Sequence, residues 1–246
     1  MEVKSILVSQ PTPPEKSPYF DLERKFGVKL TFKQLIRIES LSAKEFRSTQ
    51  KVFVPDFTAI VFTSRTSVDH FFNLCKELRA PITEELQYFC LNETIALYLQ
   101  KYVTYRKRKI HFPKEGQIEE LAQVMKKHTG EKFLMPVADV HKEDLSVFTK
   151  AKADVTTAVF YRTVSAEIDP KELKEYDMLC LFTPAGVQSI YNNVPDYEQG
   201  DQQLAVFGGA AQAAAEARGL RIDVKAPTEA CPSMPAALRE YLLKLQ

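Results

Sequence analysis

No apolar run in the sequence approaches the roughly 20 residues that a membrane-crossing helix needs. The opening stretch, MEVKSILVSQPTPP, holds one short apolar run before proline and polar residues. It lacks the longer apolar region and small-residue cleavage site of a secretory leader, so a cytoplasmic protein is expected. Cysteine is sparse. Cys75, Cys90, Cys180 and Cys231 stand far apart and form no CxxC, which excludes a disulfide framework and fits buried free thiols in a reducing compartment. Neither sign of charge dominates: 33 Lys and Arg against 32 Asp and Glu give a formal net charge of +1. That balance removes any global attraction to nucleic acid or to an anionic membrane. His70, His111, His128 and His141 show no HxH or HExxH spacing, so they read as surface or helix-face histidines rather than metal ligands. GxSxG, the phosphate-loop pattern and GxGxxG are all missing.

What is present is enough to fold. The 246 residues are 45% hydrophobic and 26% charged, which suits one large or two small globular domains and not disorder. Short runs rich in Val, Ile and Phe alternate with segments of helical period. Strands are expected over 5–10, 29–32, 36–41, 58–62, 87–91, 132–135, 156–164, 178–182, 204–207 and 221–224. Helices are expected over 18–26, 67–78, 94–102, 116–128, 142–152, 187–192, 210–218 and 235–245. The helix at 18–26 is the sharpest, with Ser17 as cap, Pro18 at its first position and Gly27 at its end. Alternation of this kind implies α/β architecture with parallel sheets flanked by helices. About ten strands are too many for one sheet in a chain of this length, so two similar domains are expected.

The chain repeats itself. AIVFTSRTSVDHFF, from Ala59, has a counterpart in LCLFTPAGV, from Leu179. Ile60 falls on Leu179, Ser64 on Thr183, Val68 on Val187 and Phe72 on Tyr191, a constant separation of 119 residues. Tyr88–Thr94 matches Ala205–Ala211 at a separation of 117, and His111–Pro113 weakly matches Lys225–Pro227. The units 5–32 and 132–158 also look alike. Matches in one order at near-constant spacing indicate duplication and two domains facing a shared cleft. Each matched pair is a strand, a polar or glycine turn, then a helix. Ligands of parallel sheets sit beyond the carboxyl ends of strands, where free N–H groups and the helix dipole favour anions. Thr63–Ser67, Asn92–Thr94, Thr183–Gly186 and Gly208–Ala211 are four such ends. They can bind a large polyanion or simply cap helices. Side-chain contacts are expected first in the turn FTSRTS.

Tyr161, late in the strand AVFYRTV, is a candidate proton or hydrogen-bond donor, or else a packed strand tyrosine. The run Arg106–Lys109 reads as a solvated strand edge or turn, or as a patch that steers acidic ligands.

These elements together resemble the uroporphyrinogen-III synthase family. The segments that carry the resemblance are ILVSQP, IVFTSRTSVDHFF, CLNETIALYL, AVFYRTV, LCLFTPAGVQSIY, VFGGAAQAAAEARGL and APTEACPSMPAAL, in family order over nearly the whole chain. The resemblance implies two α/β domains, Met1–Leu35 with Ala166–Gln246 and Ile36–Ser165, joined by a two-stranded antiparallel connector at 36–41 and 159–164. It implies a lyase that cyclises hydroxymethylbilane to uroporphyrinogen III, inverting the last pyrrole ring and releasing water. No cofactor or metal is implied, and the partner is this small molecule alone, bound by a monomer. By position, Tyr161 matches the family's cleft tyrosine. Thr63, Ser64, Arg65, Asn92, Glu93 and Thr94 match the binding turns of the middle domain. Thr183, Ala185, Gly186, Gly208, Gly209, Ala210 and Ala211 match those of the other domain. The family's Ser-Pro-Ser-Gly and Gly-Pro-Thr-Thr stand here as Thr-Pro-Ala-Gly and Gly-Gly-Ala-Ala, which removes three hydroxyls at Ala185, Ala210 and Ala211. Those losses keep open a non-enzymatic binding protein for a tetrapyrrole or other polyanion. A nucleotide-using transferase is disfavoured by the missing phosphate signatures.

Overall fold

All four residues of the strand β4, Ala59–Phe62, are buried, and they alternate between two cores. Ile60 and Phe62 join a cluster with Phe46, Phe71 and Phe160; Ala59 and Val61 join one with Phe133, Met135 and Phe148. A strand that feeds a core on each face must be covered by helices on both. The computed structural model describes residues 2–140 and 145–245. His141, and the first residues of the helix expected over 142–152, lie outside them.

The chain forms two units, Met1–Arg37 with Val164–Gln246, and Ile38–Thr163. The first, discontinuous unit holds five strands: β1 (Ser5–Val8), β2 (Lys29–Phe32), β9 (Met178–Leu181), β10 (Gln203–Phe207) and β11 (Val224–Ala226). Their order is β11-β10-β9-β1-β2, and each pairing is parallel. The middle sheet contains β3 (Ile36–Ser40), β4, β5 (Gln87–Cys90), β6 (Ile110–His111), β7 (Phe133–Ala138) and β8 (Val155–Ser165). Its order is β3-β8-β7-β4-β5-β6, with β8 through β6 parallel.

The duplication is visible in these orders. Set β9, β10 and β11 against β4, β5 and β6, and β1 and β2 against β7 and β8. The sheet β11-β10-β9-β1-β2 then becomes β6-β5-β4-β7-β8, which is the middle order. Both are doubly wound sheets whose strand order reverses once, between β9 and β1 and between β4 and β7. Such switch points are where ligands of open α/β sheets bind. β3 and β8 carry the chain across both unit boundaries. Ala166 N–H donates to Leu35 C=O, and Leu41 N–H donates to Phe160 C=O, both at 2.9 Å. Numbers rise along one strand as they fall along the other, so the pair is antiparallel.

Helices cover both faces of each sheet. In the discontinuous unit, α1 (Pro18–Phe26) and α10 (Met234–Lys244) pack Tyr19, Leu22, Met234 and Leu238 against Ile6, Val8 and Cys180. On the other face α8 (Pro184–Asn193) and α9 (Gly209–Ala217) pack Val187, Ile190 and Ala215 against Leu7, Leu179 and Leu181. In the middle unit, α2 (Ala43–Thr49), α3 (Arg65–Leu78) and α4 (Glu93–Tyr98) lie on one face, and α5 (Ile118–Met125) and α6 (Ser146–Lys150) on the other. α7 (Pro170–Lys174) leads into β9.

Some elements differ from expectation, among them the two-residue strand β6, which is too short to show an alternation. α2 and α7 have no counterpart among the expected helices, because each buries only one or two side chains and shows no periodic stripe. β11 begins at Val224 rather than at Arg221. Gln199 accepts the Arg221 N–H at 2.7 Å, and Asp223 Oδ2 accepts the Leu204 N–H at 2.9 Å, so this stretch is held by side chains before strand pairing starts. All four cysteines are free and buried, and burial pushes the Cys75 thiol up to about 12. Among the described residues no helix is long and apolar enough to cross a membrane.

Candidate functional site

Each unit sends two strand-to-helix turns out from corresponding strands beside its switch point. In the middle unit the first is Thr63–Ser67, after β4. Ser64 has extended backbone and caps α3: its Oγ accepts the Ser67 N–H at 3.0 Å, and Ser67 Oγ donates to Ser64 C=O at 2.7 Å. Both hydroxyls are thus occupied by the helix start. The turn FTSRTS therefore offers fewer side-chain contacts than the sequence suggests. No hydrogen bond among the described residues engages the Thr63 and Thr66 hydroxyls, and the Arg65 and Thr66 amides stand at the helix start, where no intrahelical partner exists. Arg65 is exposed and makes no ion pair among the described residues; its guanidinium lies over the Tyr98 ring at 5.4 Å.

The second turn follows β5. Asn92 caps α4, its Oδ1 accepting the Ile95 N–H at 3.1 Å, with Glu93 and Thr94 exposed in the first turn. The two helices are tied together by Asp69 of α3. Tyr98 Oη donates to its Oδ2 at 2.8 Å, Lys101 Nζ to its Oδ1 at 2.9 Å, and Tyr102 Oη to the same oxygen. Partial burial works against the Asp69 charge, but these donors outweigh it and hold the carboxyl below its usual range. The signal for this tie was readable: Tyr98, Lys101 and Tyr102 share one helical face, as do Arg65 and Asp69.

The corresponding turns of the discontinuous unit are sparer. Thr183 caps α8, its Oγ1 accepting the Gly186 N–H at 3.0 Å, just as Ser64 caps α3. Gly186 is buried, and a Cβ there would sit 3.3 Å from Thr183 Oγ1, so a side chain would press on the cap. Gly208 precedes α9 with φ +87°, which selects glycine, and no side chain caps that helix. The Gly209, Ala210 and Ala211 amides open α9 with neither a capping oxygen nor an acidic residue in the first turn. Asn92 and Gly208 are the equivalent caps, one residue off the spacing read from the sequence, because the turn after β10 is one residue shorter.

Tyr161 lies on β8, half-buried. Its C=O accepts the Asp139 N–H at 3.0 Å, beside an irregularity in the β7–β8 register at Val137 and Ala138. The His70 ring of α3 stacks on it, with centroids 4.9 Å apart. Arg106 pairs with Glu84 at 2.9 Å and Lys109 with Glu85 at 2.8 Å, so half of the basic run is neutralised within its own unit. Among the described residues no cluster of three or more His, Cys, Asp or Glu could hold a metal ion.

Duplicated doubly wound sheets, each with bare or lightly capped helix starts beyond its strand ends, define a two-unit α/β protein. A family model described as uroporphyrinogen-III synthase HemD matches residues 21–236. The chain belongs to the uroporphyrinogen-III synthase family, lyases that cyclise hydroxymethylbilane to uroporphyrinogen III in haem biosynthesis. Uroporphyrinogen-III synthetase from Helicobacter pylori 26695 shares the fold, with a TM-score of 0.57 at 17% identity over 99% of this chain and 100% of that one. A mutant uroporphyrinogen III synthase from the extremely thermophilic bacterium Thermus thermophilus is more remote, with a TM-score of 0.46 at 13% identity over 99% and 100%. No curated protein sequence matches the chain.

Proposed function

We propose that the chain turns over hydroxymethylbilane by fixing its carboxylates on helix starts beside the switch points and by using the Tyr161 hydroxyl to help the terminal hydroxyl leave. The observation that carries this reading is the equivalence of the turns. Ser64 and Thr183 cap helices after equivalent strands, and Asn92 and Gly208 stand at equivalent starts one strand further out. Capping alone requires no such match between two halves of a chain. A linear tetrapyrrole bearing acetate and propionate groups has carboxylates enough to engage several of these sites at once.

The turns are unequal, and physical chemistry ranks them. α9 is the most open to an anion, since three amides start it without competition from a side-chain oxygen. α3 adds the Arg65 guanidinium and the Thr63 and Thr66 hydroxyls. α8 offers the Ala185 amide, because Pro184 has no N–H and Gly186 is capped. α4 is weakest, since Glu93 already places a carboxylate at its positive end.

In the reaction the terminal C–O bond breaks, and the hydroxyl takes a proton to depart as water. The cationic carbon left behind closes onto the last pyrrole ring, which is inverted and loses a proton as the macrocycle forms. Tyr161 O–H is the donor or hydrogen-bond partner for the departing oxygen. Fixing the carboxylates removes much of the entropy that opposes closure and holds the chain in the inverted arrangement. The near-neutral net charge gives no drive toward nucleic acid or an anionic membrane, and the sparse buried thiols fit a reducing compartment such as the cytoplasm.

The product isomer tests this. In a coupled reaction from porphobilinogen, the chain is expected to yield predominantly uroporphyrinogen III. Uroporphyrinogen I alone, the product of unassisted closure, would overturn the reading.

A further inference from the structure

The Tyr161 side chain does not stand alone on β8. His70, from the second turn of α3, lies flat against it, with ring centroids 4.9 Å apart and planes 19° from parallel. The imidazole is itself anchored: Ser40 Oγ on β3 lies 2.6 Å from its Nδ1. One ring is thus held by a helix backbone on one side and a strand hydroxyl on the other, and it forms a wall for the tyrosine. Burial lowers the His70 pKa, only partly offset by Asp69, whose charge is engaged by Lys101, Tyr98 and Tyr102. The wall is therefore an uncharged ring at neutral pH.

The geometry also says what His70 does not do. In a near-parallel stack the imidazole nitrogens lie in their own plane and are not aimed at the phenol oxygen, so this pair is not built to pass a proton. The backbone of Tyr161 is fixed separately, by the Asp139 N–H on its carbonyl and by Asp139 Oδ1 accepting the Thr163 N–H at 3.3 Å. The backbone leaves the plane of the phenol ring open, and a stacked, anchored ring restricts that plane.

We infer that His70 is a positioning residue for Tyr161: the stacked imidazole, pinned by Ser40, fixes the phenol in the orientation from which its hydroxyl meets the departing group. The inference rests on the reading that the Tyr161 hydroxyl takes part in the reaction. It predicts a loss in turnover rather than in substrate binding, because the role assigned to His70 is to orient Tyr161 and not to hold a carboxylate.

The test is a cycle of four proteins assayed with hydroxymethylbilane: wild type, His70→Ala, Tyr161→Phe and the double variant, with His70→Phe as a fifth. His70→Ala is expected to lower kcat about tenfold with KM within about twofold, a smaller loss than the roughly hundredfold that a 1 Å misplacement of a reacting group can cost. His70→Phe, which restores a flat ring without the Ser40 hydrogen bond, should recover kcat to within about threefold of wild type. In the Tyr161→Phe background, removing His70 should change kcat by less than about twofold, since the hydroxyl it orients is gone. Should His70→Ala fail to fold, His70→Leu supplies the same comparison with the buried volume kept. If Tyr161→Phe is slow and His70→Ala is not, the inference falls and the role of Tyr161 stands. An equal loss in both backgrounds, or no recovery with Phe, also overturns it. If Tyr161→Phe turns over at the wild-type rate, the reading of Tyr161 falls, and the inference with it.

Discussion

Tyr161→Phe is expected to lower the rate of uroporphyrinogen III formation about a hundredfold, the lower end of what a positioned proton donor contributes. That factor is about 2.7 kcal/mol of transition-state stabilisation. The substitution removes one oxygen and keeps the ring, so the stack on His70 and the hydrogen bond from Asp139 N–H to the Tyr161 carbonyl are retained. KM should stay near its wild-type value, because the hydroxyl acts on the departing group and not on the carboxylates. A second signature is built into the chemistry. Once the catalysed rate falls, unassisted closure competes, and the fraction of uroporphyrinogen I among the products must rise. Wild-type kcat and an unchanged isomer ratio would remove Tyr161 from the reaction.

Ala210→Asp is expected to separate anion binding from capping, because the two predict opposite signs. The first turn of α9 has no acidic residue and no side-chain cap. A carboxylate placed there interacts favourably with the helix dipole and should stabilise the fold by about 0.3–1 kcal/mol. It also occupies the space a substrate carboxylate needs and repels it. KM for hydroxymethylbilane should rise about ten- to thirtyfold, which corresponds to about 1.4–2 kcal/mol of lost binding. A more stable protein with weaker substrate binding is the expected outcome, measured by melting temperature and steady-state kinetics on one preparation. A gain in stability with unchanged KM would reduce Gly208–Ala211 to an ordinary helix start.

Much of this architecture was legible in the sequence where local chemistry decides structure. Ser17, Pro18 and Gly27 fixed both ends of α1: Ser17 Oγ accepts the Tyr19 N–H, and Gly27 closes the helix at φ +69°. The repeat of the β4 turn at Thr183 located a second cap to the residue, because a capping oxygen and a buried glycine each demand a particular residue type. α2 could have been found from the capping box Ser42-x-x-Glu45, in which Glu45 Oε2 accepts the Ser42 N–H at 3.0 Å. It was obscured by a short helix that buries only Ala43 and Phe46.

The parts of the site that were not legible are those made across the sheet. His70 and Tyr161 are far apart in the chain, and nothing local to either announces the stack. The occupation of the Ser64 and Ser67 hydroxyls is likewise a matter of geometry: Ser and Thr at a helix start can face the ligand or the helix, and the composition is the same for both. Under the proposed function, this shifts the weight of anion binding from the hydroxyls of FTSRTS toward the bare amides of α9 and the guanidinium of Arg65. The residues Ala210 and Ala211, which look like losses when set beside the family's threonines, leave those amides uncovered.

On the proposed function these turns, and not the basic run or a surface groove, hold the substrate's carboxylates. Amide chemical shifts followed by NMR while the isotope-labelled chain is titrated with uroporphyrin III, a stable tetrapyrrole with the same set of carboxylates, test it most directly. The largest shifts are predicted at Gly209, Ala210 and Ala211, then at Arg65, Thr66 and Ala185, with smaller ones at Glu93 and Thr94. Shifts confined to Arg106–Lys109, or scattered over the surface while these amides stay still, would show that the carboxylates are held elsewhere.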